Sequence, residues 1–279
     1  MKSAFLFLAM VLTVRAVSAG EVTCYNDDSL EIINQNELMG SRLIASCSDS
    51  PQVVVESGRN DGSVYLEGVK IYDGGSDPAI EARVAPTAVA ILTRRNSLYL
   101  YKKSEGLRRW YDFGSYGVRE FKLSRNGSLV AISATGALVV DGHAGSSYRK
   151  AVTLYSSASG RIAALMDDGT IVDEREVLYG RTIDPAVAVK VAADGTVVWM
   201  TSRGRIGSTR NSEIYGGGDP AVSFKITDRG AVAYLTLDGK LGRNGLFLQS
   251  GLDRVVGYKI QASMSVSATT TGGRSVYFP

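Results

Sequence analysis

Short runs of β-branched and aromatic residues, each bounded by glycine or aspartate, recur along most of the chain. Examples are AVAILT (88–93), LVAISA (129–134), TVVWMT (196–201) and AVAYLT (231–236). Runs of this length and composition are typical of buried strands and are too short for helices. Beyond residue 19, no apolar period of 3.6 residues continues over the length of a helix. The pattern therefore predicts an all-β protein.

These strands belong to a repeat, most clearly in DPAVAVKVAADGTVVWMTSRGRIG (184–207) and DPAVSFKITDRGAVAYLTLDGKLG (219–242). A fixed period of this kind indicates a fold built from stacked units of about 35 residues. The segments that resemble DPAV begin at Ser41, Asp77, Ser115, Arg149, Asp184, Asp219 and Asp253. The turn residues that follow the main strand are Gly62, Asn96, Gly136, Gly169, Gly204, Gly239 and Gly273. Both series predict seven units.

Each unit contains three or four short strands joined by tight turns such as DDG and LDG, which is the content of one β-propeller blade. A blade cannot bury both faces alone, so seven blades stacked around an axis bury one another. We therefore predict a single seven-bladed β-propeller domain over residues 20–279. A β-solenoid of similar period is the alternative.

The two ends of the chain offer a way to close the ring. The last unit, SVSATTTGGRSVYFP (265–279), stops after two strands, and SLEIINQNELMGSRLIAS (29–46) contains the two missing strand types. We therefore predict that an N-terminal closing segment (20–50) completes the C-terminal blade. A disulfide between Cys24 and Cys47 is expected to fasten this segment, with a stabilisation of about 3 kcal/mol.

The first 19 residues resemble a secretory signal peptide. Lys2 precedes an uncharged run from Ala4 to Val14, and Ala19 ends a small-residue cleavage site. We expect a secreted or periplasmic protein without a membrane span. Removal of Lys2 and Arg15 leaves 29 of the 31 basic residues against 28 acidic ones. This balance argues against a nucleic-acid binder, and we expect a monomer.

The unit order AVxxKIxxxGxVAxLTxDGxL resembles the layout of RCC1-like propellers over most of the chain. Those families usually place Trp-Gly after the DGxL hairpin, whereas this chain has KLGRNG and RIGSTR. The resemblance therefore implies architecture only. Because one secreted branch with this layout binds and inhibits other proteins, it also makes a protein-binding role an expectation.

Few residues favour catalysis. His143 is the only histidine and lies in a predicted turn, which argues against a histidine metal site. The Asp-Gly turns have too few oxygen ligands for calcium, and the DERE segment (173–176) is expected to be solvated. We expect no metal, no cofactor and no enzyme activity. A hydrolase with carboxylates over the central channel remains an alternative.

The second unit differs most from the others and is the candidate binding region. Between Arg94 and Arg109 it has six basic residues and one acidic residue. The predicted binding residues are Arg94, Arg95, Arg108, Arg109, Trp110 and Tyr111. Arginine with tryptophan or tyrosine is typical of protein interfaces, and such a patch would bind an acidic protein or an anionic glycan. The other interpretation, which we favour slightly, is a solvated basic hairpin with an aromatic side chain packed beneath it. The leading hypothesis is an exported module that binds a protein.

A second series consists of tyrosines at a matching place in several units. They are Tyr72, Tyr111, Tyr179 and Tyr215, each followed within three residues by glycine. Such a ring can stack sugars, which makes a lectin-like glycan binder the second hypothesis. The other interpretation, which we favour, is that each tyrosine packs between blades with its hydroxyl hydrogen-bonded.

Overall fold

The computed structural model describes residues 62–144, 149–173, 176–180, 183–248 and 253–279, together with the strands at 21–24, 32–37, 40–45 and 53–57. The only helical element in these ranges is a single 3-10 turn, Gly114–Tyr116. No helix in them is long and apolar enough to cross a membrane. The expected all-β class is confirmed.

The described strands form seven small sheets, which we number 1 to 7 along the chain. Sheet 1 contains β2 (Ile32–Glu37), β3 (Gly40–Ala45), β4 (Val53–Ser57), β5 (Val64–Leu66) and β6 (Val69–Tyr72). Sheet 2 contains β1 (Glu21–Cys24), β7 (Ala79–Ala85), β8 (Ala88–Thr93), β9 (Ser97–Lys102) and β10 (Gly106–Asp112). Sheet 3 contains β11 (Val118–Leu123), β12 (Leu129–Ser133), β13 (Leu138–Val140) and β14 (His143–Ala144).

The remaining sheets follow the same plan. Sheet 4 contains β15 (Ala151–Ser156), β16 (Ile162–Met166), β17 (Ile171–Asp173) and β18 (Val177–Tyr179). Sheet 5 contains β19 (Ala186–Val191), β20 (Val197–Thr201) and β21 (Ile206–Ser208). Sheet 6 contains β22 (Ala221–Ile226), β23 (Val232–Thr236), β24 (Leu241–Arg243) and β25 (Leu246–Phe247). Sheet 7 contains β26 (Val255–Ile260), β27 (Val266–Thr270) and β28 (Ser275–Phe278).

Apart from β1, which runs parallel to β7, neighbouring strands within a sheet follow one another in the chain and pair in antiparallel fashion. Sheets 3, 4 and 6 have four strands, and sheets 5 and 7 have three in the described part of the chain. This order of small antiparallel sheets, each completed before the next begins, is that of β-propeller blades.

The hydrophobic core consists of separate layers between consecutive sheets. Six clusters of buried side chains are present in the described residues, and each draws its members from two successive sheets. Between sheets 5 and 6, for example, Val198 and Ile206 pack against Phe224 and Val232. Because each sheet supplies only half of a core layer, the sheets stabilise one another in series.

The DPA segments explain part of the repeat, because they join each sheet to the one before it. The amide of Ala186 donates to the carbonyl oxygen of Gly169 at 3.1 Å, and Ala221 donates to Gly204 at 3.1 Å. Gly169 has a φ of +78°, and a Cβ there would lie 2.3 Å from the Cβ of Pro185. The turn residue is therefore glycine for two reasons, its left-handed backbone and the close approach of the next sheet's proline.

The aspartate of the same segment ties the start of its sheet to the hairpin beside it. Asp184 is buried, and its Oδ1 accepts hydrogen bonds from the amide of Arg203 at 3.1 Å and from Ser202 Oγ at 3.3 Å. In sheet 2, Asp77 accepts from the amide of Arg95 at 2.9 Å in the same way. The carboxylate satisfies turn amides that would otherwise lack a partner.

The N-terminal strands pair differently from the expectation. β2 and β3 form a hairpin in which Glu37 lies opposite Gly40, and β3 continues into β4. β1 runs parallel to β7, with Glu21 opposite Glu81. A hairpin with a two-residue loop closes at far lower entropic cost than pairing with a strand about 220 residues away. The predicted completion of the C-terminal blade is therefore not confirmed.

The predicted ring closure and the predicted disulfide also involve residues outside the described strands. Cys24 ends β1, and Cys47 lies outside the described residues. The Cys24–Cys47 disulfide therefore stays a prediction. The predicted signal peptide (1–19) likewise lies outside them.

Candidate binding surfaces

The basic residues of the second unit lie on two neighbouring parts of sheet 2. Arg94 and Arg95 are exposed in the turn between β8 and β9, and Arg108 and Arg109 are exposed on β10. Arg109 donates to Ser97 Oγ at 2.9 Å and pairs with Asp112. This contact connects β10 to the start of β9, next to the turn that carries Arg94 and Arg95, and we call these four exposed arginines the basic edge of sheet 2.

The two aromatic residues of this candidate site are less available than the arginines. Trp110 is only 7% exposed and belongs to the core layer between sheets 2 and 3. Tyr111 is half-buried and packs edge-on against Phe113, with the ring centres 4.6 Å apart. The surface that a partner can contact here consists of the arginines and one side of Tyr111.

The repeated tyrosines have a structural role in the described residues. The hydroxyl of Tyr179 donates to the carbonyl oxygen of Asp184 at 2.5 Å, and that of Tyr215 donates to Asp219 at 2.6 Å. Tyr72 donates to Asp77 at 2.5 Å, and burial together with the nearby Asp77 carboxylate raises the pKa of Tyr72 well above its usual range. Each tyrosine therefore connects the end of one sheet to the beginning of the next.

Exposed valines form a series on the first strands of sheets 4 to 7. They are Val152, Val187, Val222 and Val256, with exposed fractions of 49%, 53%, 49% and 58%. Each lies at a β-bulge, where the register skips one residue between the first and third positions of the strand. A bulge turns the extra side chain out of the ladder, so the same device exposes an apolar group on four consecutive sheets.

A lysine follows three residues after Val187, Val222 and Val256. Lys190, Lys225 and Lys259 are exposed on β19, β22 and β26. We call the surface formed by Val187, Lys190, Val222, Lys225, Val256 and Lys259 the inner-strand arc. Sequence reasoning did not single it out, although the identity of Val187 and Lys190 with the residues 35 positions later was a visible signal.

A cleft of about 440 Å³ lies between sheets 4 and 5. Its walls include Tyr179, Trp199, Arg205, Arg210 and Glu213. Sheet 5 has no fourth strand in the described residues beyond the single bridge between Ile206 and Tyr215, which leaves room for the cleft. Arg205 and Arg210 already face Asp184 at 3.8 Å and Asp194 at 2.8 Å, so the cleft has nearly balanced charge.

The candidates for metal or acid–base chemistry are dispersed. His143 is exposed in β14. Asp173, the first residue of the DERE segment, pairs with Arg161 at 2.6 Å, and Glu174 lies outside the described residues. Within the described ranges, no group of three histidine, cysteine or acidic side chains is placed to hold a metal ion.

Comparison with known proteins agrees with this description at the level of fold. No family model matches the chain, so the resemblance to RCC1-like propellers rests on the repeat layout alone. No curated protein matches either.

Similar solved structures include the Cps50 (Swd1) β-propeller domain of Myceliophteria thermophila, at 14% identity and a TM-score of 0.34, covering 66% of this chain and 76% of that one. Human WBSCR16 is 9% identical with a TM-score of 0.38, covering 86% and 84%. A structure described as YCF48 bound to D1 peptide is 13% identical with a TM-score of 0.34, covering 83% and 87%.

The order of its small antiparallel sheets, each completed before the next begins, makes the chain a repeat protein of the β-propeller class. At these identities and TM-scores, no partner and no activity passes from the similar proteins to this chain.

Proposed function

We propose that this protein is an exported β-propeller that binds a protein partner. The observation that carries the proposal is the row of exposed valines on β15, β19, β22 and β26. Single exposed apolar residues are ordinary, but a series on adjacent elements is typical of an interaction surface. The sheets supply a rigid support, since each is held to its neighbours by a core layer and by main-chain hydrogen bonds.

The proposal includes an architecture and a location. Seven sheets close into a ring, the leader (1–19) is removed on export, and the Cys24–Cys47 disulfide forms in an oxidising compartment. The equal spacing of the units supports seven blades, and the leader's charge and apolar run support export. We propose no catalytic role.

The basic edge of sheet 2 offers a second contact surface for the same function. Arg94, Arg95 and Arg108 are exposed, and Glu105 lies 3.9 Å from Arg108 at one end. Exposed arginines of this kind act in steering and specificity. The lectin-like alternative draws no support from Tyr72, Tyr179 or Tyr215, because their hydroxyls already donate to main-chain carbonyls.

The test uses the mature chain as an immobilised bait against the extracellular and periplasmic fractions of its source. Val152, Val187, Val222 and Val256 are changed to serine together. The matched control changes four apolar residues elsewhere that are at least as exposed as most of these valines, Val69, Val177, Leu237 and Leu246. We expect a stoichiometric partner that the control variant retains and the first variant loses by about tenfold or more.

A third variant, Arg94→Glu with Arg95→Glu and Arg108→Glu, reports on the basic edge. Trp110 is left unchanged because its removal would open the core layer between sheets 2 and 3. If no protein is retained by the wild-type chain under any ionic condition, the proposed function is wrong. If one is retained equally by all variants, binding lies on neither surface.

A further inference from the structure

The inner-strand arc carries an unbalanced positive charge. β19, β22 and β26 each contain one lysine and no acidic residue. In sheet 2 the corresponding strand carries Arg83 with Glu81, and in sheet 3 it carries Arg119 and Lys122 with Glu120. Glu81 lies 3.1 Å from Arg83, so the charge of that strand is compensated. Sheets 5 to 7 are thus three consecutive sheets whose first strand has a lysine and no acidic residue.

Two of the three lysines contact an aromatic ring of the sheet that follows. Lys190 Nζ lies 5.9 Å from the centre of the Phe224 ring, and Lys225 Nζ lies 5.0 Å from that of Tyr258. Lys225 Nζ also donates to the carbonyl oxygen of Tyr258 at 2.6 Å. An ammonium group has three donors, so contacts of this kind fix its position and leave hydrogens for a ligand.

The strands of the arc also have an open edge. Among the described strands, β19, β22 and β26 each pair on one side only. The corresponding edges of β7 and β3 are occupied by strands from the N-terminus of the same chain, β1 and β2. An unpaired edge is a template for an added strand, and the molecule itself fills this edge in sheets 1 and 2.

We propose that the inner-strand arc binds an extended, acidic segment of a protein. The segment adds along the open edge of one of these three strands, its carboxylates face the lysines of that strand and of the neighbouring sheets, and its apolar side chains contact the exposed valines. Charge complementarity selects an acidic occupant, because the arc has three ammonium groups and no carboxylate on its own strands. This inference rests on the proposed function and names the chemistry of its partner.

The test uses three synthetic peptides and the mature protein, with affinity measured by fluorescence anisotropy. The first peptide alternates glutamate and valine, the second lysine and valine, and the third glutamate and glycine. We expect the first to bind most tightly and the second not to bind. The third is expected to be weaker than the first, because it lacks apolar contacts. Binding of the first peptide should weaken with added salt, since exposed charges are screened.

Matched variants locate the site. Lys190→Glu, Lys225→Glu and Lys259→Glu together are expected to weaken the first peptide by about tenfold or more. The control reverses three other lysines, Lys70, Lys103 and Lys240, which are 44–54% exposed and give the same change in net charge. The control is expected to leave affinity within about twofold. A Lys→Gln version of the arc variant keeps the test valid if charge reversal impairs folding.

The outcomes separate the two proposals. Equal binding of the lysine–valine peptide, or an arc variant that binds like the control, overturns the inference even if a protein partner is captured through the valines. If the glutamate–valine peptide binds through the arc while no protein is captured, the proposed function fails and the arc is an anion site without a protein ligand. Failure of all three peptides to bind also overturns the inference.

Discussion

The hydroxyl of Tyr234 is a buried polar group without a hydrogen-bond partner in the described part of the chain. Its ring stacks on that of Tyr215, with the centres 4.5 Å apart, in the core layer between sheets 5 and 6. Burial raises the pKa of Tyr234 from 10.0 to about 12, and the neighbouring Tyr215 adds to the shift. A buried hydroxyl that exchanges no hydrogen bond opposes folding.

We expect Tyr234→Phe to raise the free energy of unfolding by about 1 kcal/mol at neutral pH, because the phenyl ring keeps the packing and removes the unpaired hydroxyl. The pKa is higher in the folded state, so stability is complete below pH 10 and falls as pH rises from 10 toward 12. The Tyr234→Phe variant should lack the part of the fall in unfolding free energy above pH 10 that comes from ionisation of Tyr234.

Urea unfolding at several pH values measures both effects. Tyr277→Phe is the control, because Tyr277 is exposed and its replacement should change neither quantity. A Tyr234→Phe variant that is less stable than the wild type would show that its hydroxyl has a favourable partner.

For single residues, the sequence predicted which positions differ from their surroundings but not how each side chain is oriented in the fold. The repeated tyrosines were expected to pack with bonded hydroxyls, and the bonds of Tyr179 and Tyr215 to main-chain oxygens confirm this. Trp110 was named as a binding residue, with an aromatic packed beneath a solvated hairpin as the other interpretation, and it is buried. A composition rich in arginine does not reveal which face of β10 meets sheet 3. The orientation of a side chain at a bulge, as in Val187, is equally invisible in the sequence.

At the scale of the element, side-chain size is matched across the second and third strands of sheets 4, 5 and 6. Tyr234 lies opposite Gly242, and Trp199 lies opposite Gly207. A Cβ at position 242 would lie 2.2 Å from Cζ of Tyr234. In sheet 4 the arrangement is reversed, since Ala164 lies opposite Val172.

The glycine after KL and RI is therefore repeated because a large ring covers it. Cross-strand neighbours of this kind share one space in the layer, so that their combined volume is limited. A substitution at one position has to be judged together with its partner.

We expect substitutions of Tyr234 and Gly242 to be tolerated better when both residues are changed together than when either is changed alone. Gly242→Val alone should cost about 1–3 kcal/mol from overpacking, and Tyr234→Ala alone about 3–5 kcal/mol from the cavity it leaves. The double variant imitates the sheet 4 arrangement and should be more stable than the sum of the single losses indicates. A double-mutant cycle in urea measures the coupling.

Gly218→Ala is the control, because nothing lies within 4 Å of a Cβ at that position. It should leave stability within about 0.5 kcal/mol. Strict additivity of Tyr234→Ala and Gly242→Val would contradict the shared-volume explanation.

Strand content was predictable from the sequence, whereas strand partners were predictable only within a unit. The runs AVAILT and AVAYLT are β8 and β23, each with the antiparallel neighbours that the turn residues require. The N-terminal strands were assigned to the wrong sheet, because an isolated alternating pattern fixes the faces of a strand but not its partner. Three or four strands were expected in each unit, and sheet 5 has three strands and a single bridge between Ile206 and Tyr215.

At the scale of the molecule, the six core layers do not determine how the two ends meet. On β27, Val266 and Ala268 are buried against sheet 6, whereas Ser267 and Thr269 occupy the alternate positions. The face that would close the ring is therefore polar. Among the described residues, nothing lies within 4 Å of a Cβ at the turn residue Gly273, whereas a Cβ at Gly169 or Gly204 would meet the proline of the next sheet. The closing joint is expected to be weaker than the other six.

Removal of residues 253–279 distinguishes a closed ring from an open stack. In an open stack each sheet stabilises only its neighbours, so the loss should be confined to sheet 6. In the proposed ring, sheet 1 also loses a neighbour, although about 200 residues separate the two in the chain. We therefore expect amide hydrogen exchange to accelerate in β4 (Val53–Ser57) as well as in β23 and β24.

Sheets 3 and 4, which lose no neighbour in either arrangement, serve as the internal control. Unchanged protection in β4, with faster exchange only in sheet 6, would show that the sheets form an open arc, and the inner-strand arc would then line an exposed concave edge instead of a central channel.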